Sequence, residues 1–204
     1  MNEQVRSPLD GASVASPLAP QRRRFTAGDL EAMDRSGILG PQERVELIDG
    51  EIIIMAAKGA RHEIMRTRLT KFWSRRSPED LMVASEPALH LEPHNEPEPD
   101  IVVFQDVLQA PQVRGDTVLL VVEIADSSLS YDLTVKAALY SRFGVREYWV
   151  IDPKACETHI HRDPRGQVYG SVSVASRADL LTPLLAPTLA VRLGDLRLDW
   201  DGEG

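Results

Sequence analysis

The sequence predicts a mixed α/β fold built around one sheet. Three observations carry that expectation. The runs Ile101-Val102-Val103-Phe104 and Val118-Leu119-Leu120-Val121-Val122 are apolar throughout, which suits strands covered on both faces. Residues 60–76 place Met65, Leu69, Phe72 and Trp73 at helical spacing, so that stretch has one buried stripe. A second helical stretch, Asp132 to Phe143, lies between the second apolar run and a further strand-like run at Glu147–Ile151. The order is helix, strand, strand, strand, helix, strand, with an extra N-terminal helix and hairpin before it and more strands after it.

The elements follow in chain order. Residues 1–24 are rich in Ser, Pro, Ala and Arg without periodicity. They read as a flexible tail, and residues 25–200 as one domain. Thr26 and Asp29 have capping-box spacing for a helix that runs to Ser36 and stops at Gly37. Val45–Ile48 and Glu51–Met55 flank Asp49-Gly50, a dipeptide that favours two-residue hairpin turns. Pro78 ends the basic helix at 60–76. Leu81–Leu91 reads as one or two strands broken near Pro87, and Pro93–Pro99 as an acidic loop. Pro99 stands at a strand start, where a missing N–H is tolerated. Ala125–Tyr131 reads as a polar loop, Asp132 as a helix N-cap and Gly144 as the C-cap. Strands are expected near 156–162 and 167–174, and short strands in the Leu- and Pro-rich stretch after Leu180.

Composition excludes several classes. A chain of 204 residues, 43% of them hydrophobic, can bury a substantial core. A single cysteine, Cys156, excludes an internal disulfide and any multi-cysteine zinc or iron–sulfur site. No apolar run approaches membrane-spanning length. The N-terminus has no basic start followed by an apolar run, so a cytoplasmic protein without a signal peptide is expected. The net charge of −8 and pI near 5.2 argue against a protein that coats nucleic acid. The charge is unevenly spread, however. Residues 58–76 hold Lys58, Arg61, Arg66, Arg68, Lys71, Arg75 and Arg76 against Glu63 alone.

Asp100, Glu123 and Lys136 are the residues most suited to chemistry. Asp100 opens one apolar run, Glu123 closes the next, and Lys136 lies one turn into the following helix. Two strand-end carboxylates offer hard oxygen ligands to Mg²⁺, and an adjacent ammonium can polarise a water or offset charge beside a scissile phosphate. Each residue has a plainer reading as well. The acids could be a solvated rim, and the lysine a surface residue. Glu46 is either an auxiliary acid or metal ligand, or a solvent-facing hairpin residue. Asp126, Ser127 and Ser128 could bond a phosphate or cap a helix. Tyr140 reads first as a core aromatic. Arg61, Arg66, Arg68, Lys71 and Arg75 of the basic helix are candidates for DNA-backbone contact, against a merely solvated face.

The segments Glu46-Leu47-Ile48-Asp49-Gly50-Glu51, Pro99-Asp100-Ile101-Val102-Val103, Val122 through Ser128, Asp132 through Tyr140 and Gly144 through Trp149 occur in a specific order. Over residues 25–165 this order resembles the Uma-type restriction endonucleases, a branch of the PD-(D/E)XK nuclease superfamily. The resemblance implies a restriction-endonuclease-like fold and a metal-dependent endonuclease acting on DNA. It implies Mg²⁺, for which Mn²⁺ can substitute, and no organic cofactor. Asp100 matches the Asp of Pro-Asp, Glu123 matches the second acid, and the Ile124 carbonyl becomes a further metal ligand. The superfamily's lysine usually stands two residues after that acid, where this chain has Ala125. The resemblance assigns the role to Lys136 instead. It also places His62 at the site. A homodimer suits cleavage of both strands. The competing reading is a non-catalytic nucleic-acid- or protein-binding module that kept the fold, because fold alone does not establish activity.

Overall fold

Strand β5 (Leu120–Ile124) is buried at every position, and the other strands of its sheet are laid out on either side of it. The computed structural model describes residues 22–109 and 112–198. Most of the expected N-terminal tail therefore lies outside the described residues.

Helix α1 (Ala27–Arg35) starts at the Thr26 cap, with the full capping box to Asp29. Strands β1 (Val45–Ile48) and β2 (Glu51–Ile54) form a separate two-stranded hairpin. Its turn needs left-handed backbone at Asp49 (φ 51°) and Gly50 (φ 78°). These are the residue types that tolerate it. Then come α2 (Ala60–Ser74), β3 (Leu81–Ser85), β4 (Ile101–Gln105) and β5. The third helix, α3, has three stretches: Leu129–Tyr131, a π-helical segment Asp132–Lys136, and Ala137–Arg142. Strands β6 (Glu147–Asp152), β7 (Glu157–Arg165) and β8 (Val168–Ala175) complete a six-stranded sheet of order β3-β4-β5-β6-β7-β8. Only β5 and β6 pair in parallel. A parallel pair needs a crossover connection, and α3 supplies it.

Both faces of the sheet are covered. One carries Ile101, Val103, Leu120, Val122, Trp149 and Ile151, under Met65, Leu69 and Trp73 of α2. Trp73 meets Trp149 with centroids 6.1 Å apart, and its indole N–H donates to the Leu189 carbonyl at 2.7 Å. The other face carries Val102, Val121, Tyr148 and Val150, under Ala137 and Tyr140 of α3. The expected helix–strand order therefore stands. Among the described residues no helix is long and apolar enough to cross a membrane.

Two local expectations are corrected. Asp132 is not the N-cap of α3. The helix begins three residues earlier, and Asp132 is buried inside it, accepting a hydrogen bond from Ser128 Oγ. Among the described residues, the stretch after Leu180 does not form strands. It makes one isolated bridge, Leu181 to Val191, and two 3₁₀ turns, Pro187–Leu189 and Leu193–Leu196. Pro183 and Pro187 remove ladder donors there. What fixes the segment is burial of Leu181, Leu189, Val191 and Leu193 against the α2 face.

Because Trp73 joins α2, the sheet and the C-terminal segment, Trp73→Ala should lower the unfolding free energy by about 3–5 kcal/mol, read from urea denaturation.

Candidate active site

The register of β4 against β5 creates the site. Ile101 pairs with Val122, and Val102 with Val121. One step further along the same antiparallel ladder sets Asp100 opposite Glu123. Cross-strand neighbours project to the same side of a sheet, and both residues line one cleft of about 70 Å³. At roughly 30 Å³ per water, this is room for about two waters. The Ile124 N–H donates to Asp100 Oδ2 at 2.7 Å, locking the aspartate onto the end of β5.

Lys136 enters from α3. Its ammonium donates to Glu123 Oε1 and to Glu46 Oε1, both at 2.8 Å, with all three residues buried. The Tyr140 hydroxyl donates to the same Glu123 oxygen at 2.9 Å. Glu46, from β1, also accepts the Glu98 N–H at 2.9 Å. It lies behind the cleft rather than in its lining and touches the site through Lys136. His62, at the start of α2, is buried with Nε2 2.9 Å from both Asp100 oxygens. Asp126, Ser127 and Ser128 line the cleft, and Ala125 is buried in the sheet-end core.

The electrostatics follow from burial. Glu123 is pushed well above the usual carboxylate range by desolvation, with Lys136 opposing and Asp100 adding to the shift. Asp132 is raised to about 6, again chiefly by burial. Desolvation would depress Lys136, but Glu123 and Glu46 outweigh it and raise its pKa, so the side chain is an ammonium at neutral pH. Burial also acts on Asp100, yet His62 and Lys58 hold it down at about 2.

Carboxylate and carbonyl oxygens are the donor type that hard divalent cations take. Asp100, Glu123 and Ile124 face one small cleft. The acids Glu46, Glu123 and Asp132 share the single ammonium of Lys136. Glu46 Oε2 is buried with no hydrogen-bond partner among the described residues, a deficit that normally has a cause. Among the described residues no three His, Cys, Asp or Glu side chains are gathered in metal-holding geometry. Ammonium groups stand on the two carboxylates instead: Lys136 on Glu123, and Lys58 on Asp100 at 2.7 Å.

The basic residues of α2 separate into groups. Arg66 pairs with Glu63 at 2.6 Å and Glu86 at 3.3 Å. Arg61 is exposed at the helix start. Arg68, Lys71 and Arg75 line a surface hollow of about 320 Å³ with Phe72, Arg76 and Arg197.

Over residues 28–194 the chain matches the Uma2 family, described as "Putative restriction endonuclease". The chain belongs to this family. Its fold matches the crystal structure of "a putative nuclease belonging to DUF820" from Anabaena variabilis ATCC 29413, with a TM-score of 0.62. The match covers 82% of this chain and 97% of that one at 19% identity, so the likeness is one of fold. No curated protein matches the chain.

Sequence reasoning overlooked Lys58 and Glu86 as site residues of this Uma2 chain. Lys58 precedes Gly59, the N-cap of α2, and carried no motif. Glu86 had a usable signal. It follows Ser85, which pairs with Ile101, so the β3–β4 register sets it beside Asp100. Its N–H donates to the Asp100 carbonyl at 3.0 Å.

Asp132 provides a test of the local electrostatics. Its folded pKa is raised, so ionisation costs stability above about pH 6 and nothing below the unfolded value near 4. Asp132→Asn should stabilise the protein at pH 8 in EDTA by up to about 3 kcal/mol, with the gain vanishing by pH 4 in thermal melts.

Proposed function

We propose that the chain is a metal-dependent endonuclease that hydrolyses DNA phosphodiester bonds in this cleft. The observation that carries the reading is the juxtaposition of Asp100 and Glu123 across β4 and β5, with Lys136 bonded to Glu123. Family membership supports DNA as the substrate.

Phosphodiester hydrolysis builds negative charge on the phosphoryl oxygens and the leaving oxygen. Asp100, Glu123 and the Ile124 carbonyl would hold the cation. Bound there, Mg²⁺, or Mn²⁺ in its place, supplies charge neutralisation and lowers the pKa of a water. Lys136 acts as a cation and hydrogen-bond donor towards water or phosphate, not as a base, because its acids keep it protonated. Glu46 and Tyr140 are positioning residues: one anchors Lys136, and the other shares the Glu123 oxygen. His62 fixes the Asp100 carboxylate.

Contact with the DNA backbone is proposed for Arg61 and for the hollow formed by Arg68, Lys71, Arg75, Arg76 and Arg197. Residue 75 lies 13 positions beyond His62 along the α2 region, about 20 Å at 1.5 Å per residue. A strand leaving the cleft along α2 would therefore pass this hollow. Arg66, which pairs with Glu63 and Glu86, would be a further phosphate contact. A homodimer would present one cleft to each strand. The edge strand β8, with Val168, Val172 and Val174 exposed, offers a surface for that pairing.

Wild-type protein should nick supercoiled plasmid with Mg²⁺ or Mn²⁺ and not in EDTA. Asp100→Ala should lower the rate by about 10²–10³ or more. Plasmid that is bound but never cut with either metal would move the assignment to a non-catalytic binding module. Replacing Lys71 and Arg75 with Ala should weaken binding to a duplex in Ca²⁺ or EDTA. Each lost phosphate contact should lower the slope of log K against log salt by about 0.9. An unchanged slope would remove this hollow from the DNA interface.

A further inference from the structure

Lys58 is the least expected occupant of the cleft. It stands two residues before α2, outside the helix that carries the other basic residues. Its side chain is 14% exposed, and its ammonium reaches Asp100 Oδ1 at 2.7 Å. The second aspartate oxygen already accepts the Ile124 N–H at 2.7 Å, and His62 Nε2 straddles the carboxylate. Lys58 thus holds the Asp100 oxygen that the backbone does not. A cation seeking Asp100 meets an ammonium of like charge there.

Glu86 gives that ammonium a second anchor. Its Oε1 is also hydrogen-bonded to Lys58 Nζ. Glu86 is a non-glycine residue with φ +53°, a conformation that needs local support. The support is the N–H bond to the Asp100 carbonyl and the ion pairs with Arg44 and Arg66, each at 3.3 Å. Glu86 is therefore held in place outside the cleft lining, tied to the backbone of the residue that Lys58 covers.

We propose that Lys58 is an internal competitor for the divalent cation at Asp100, and that Glu86 retains the displaced ammonium. This rests on the nuclease reading above. In the absence of metal, Lys58 compensates the buried Asp100 charge and keeps the cleft in order. On loading, Lys58 gives up its bridge to Asp100 and keeps the one to Glu86 that it already has. Metal affinity is thereby set below what the bare carboxylates would give.

The test is titration of Mn²⁺ and of Mg²⁺ by calorimetry into full-length wild type, Lys58→Met, Glu86→Gln and the double variant, with thermal melts to confirm folding. Lys58→Met should bind Mn²⁺ at least about tenfold more tightly, the scale of one lost charge–charge contact. Glu86→Gln should bind a few-fold more weakly than wild type, because the displaced ammonium loses its anchor. The double variant should match Lys58→Met, because without the ammonium Glu86 has nothing to retain. Unchanged or weaker binding by folded Lys58→Met overturns the proposal. If wild type binds metal and nicks plasmid in that case, the nuclease reading survives. If neither wild type nor Lys58→Met binds metal, both fail together.

Discussion

The buried ammonium of Lys136 is the interaction on which the site depends. It sits between Glu46 and Glu123, with all three groups out of solvent. Charges are expensive to bury, and their mutual attraction offsets that cost only when geometry and further hydrogen bonds are good. The surroundings supply these. Tyr140 completes Glu123, the Glu98 N–H completes one Glu46 oxygen, and Ser128 completes Asp132. Removing the Lys136 ammonium would leave its buried acids without a compensating charge. The cluster therefore constrains three elements at once: the hairpin, the central strand and the crossover helix.

The backbone bends to this requirement. The π-helical segment of α3 spans Asp132–Lys136, and both of its ends are buried charged residues. Such widened turns recur at functional sites. The sheet contributes in a different way. Its β4–β5 register aligns Asp100 with Glu123 without any special conformation, and β3 adds Glu86 by the same ladder logic. The cleft is thus set by ordinary strand pairing on one side and by an irregular helix on the other.

Much of this was legible in the sequence, for identifiable reasons. Uninterrupted apolar runs mark buried strands, so β4 and β5 and their terminal acids were readable, as were the capping box at Thr26 and the turn at Asp49-Gly50. Asp132 was misread because an acid after a polar stretch has the pattern of an N-cap, and a π turn leaves no periodic trace. The arginines of α2 share one spacing but have different surroundings. Whether Arg66 pairs with Glu86 or faces solvent is a tertiary fact. Lys58 was hidden for the same reason, since its partners Glu86 and Asp100 are 28 and 42 residues away.

The hairpin that carries Glu46 belongs to a sheet of its own, not to the six-stranded one. Its glutamate and Lys136 are 90 residues apart in the chain. Contacts of such high sequence separation require closing a long loop before they return any energy. Until the hairpin docks, Lys136 and Glu46 are free of one another. The cleft's electrostatics are thus a property of the completed tertiary fold, and a partly folded chain cannot possess them.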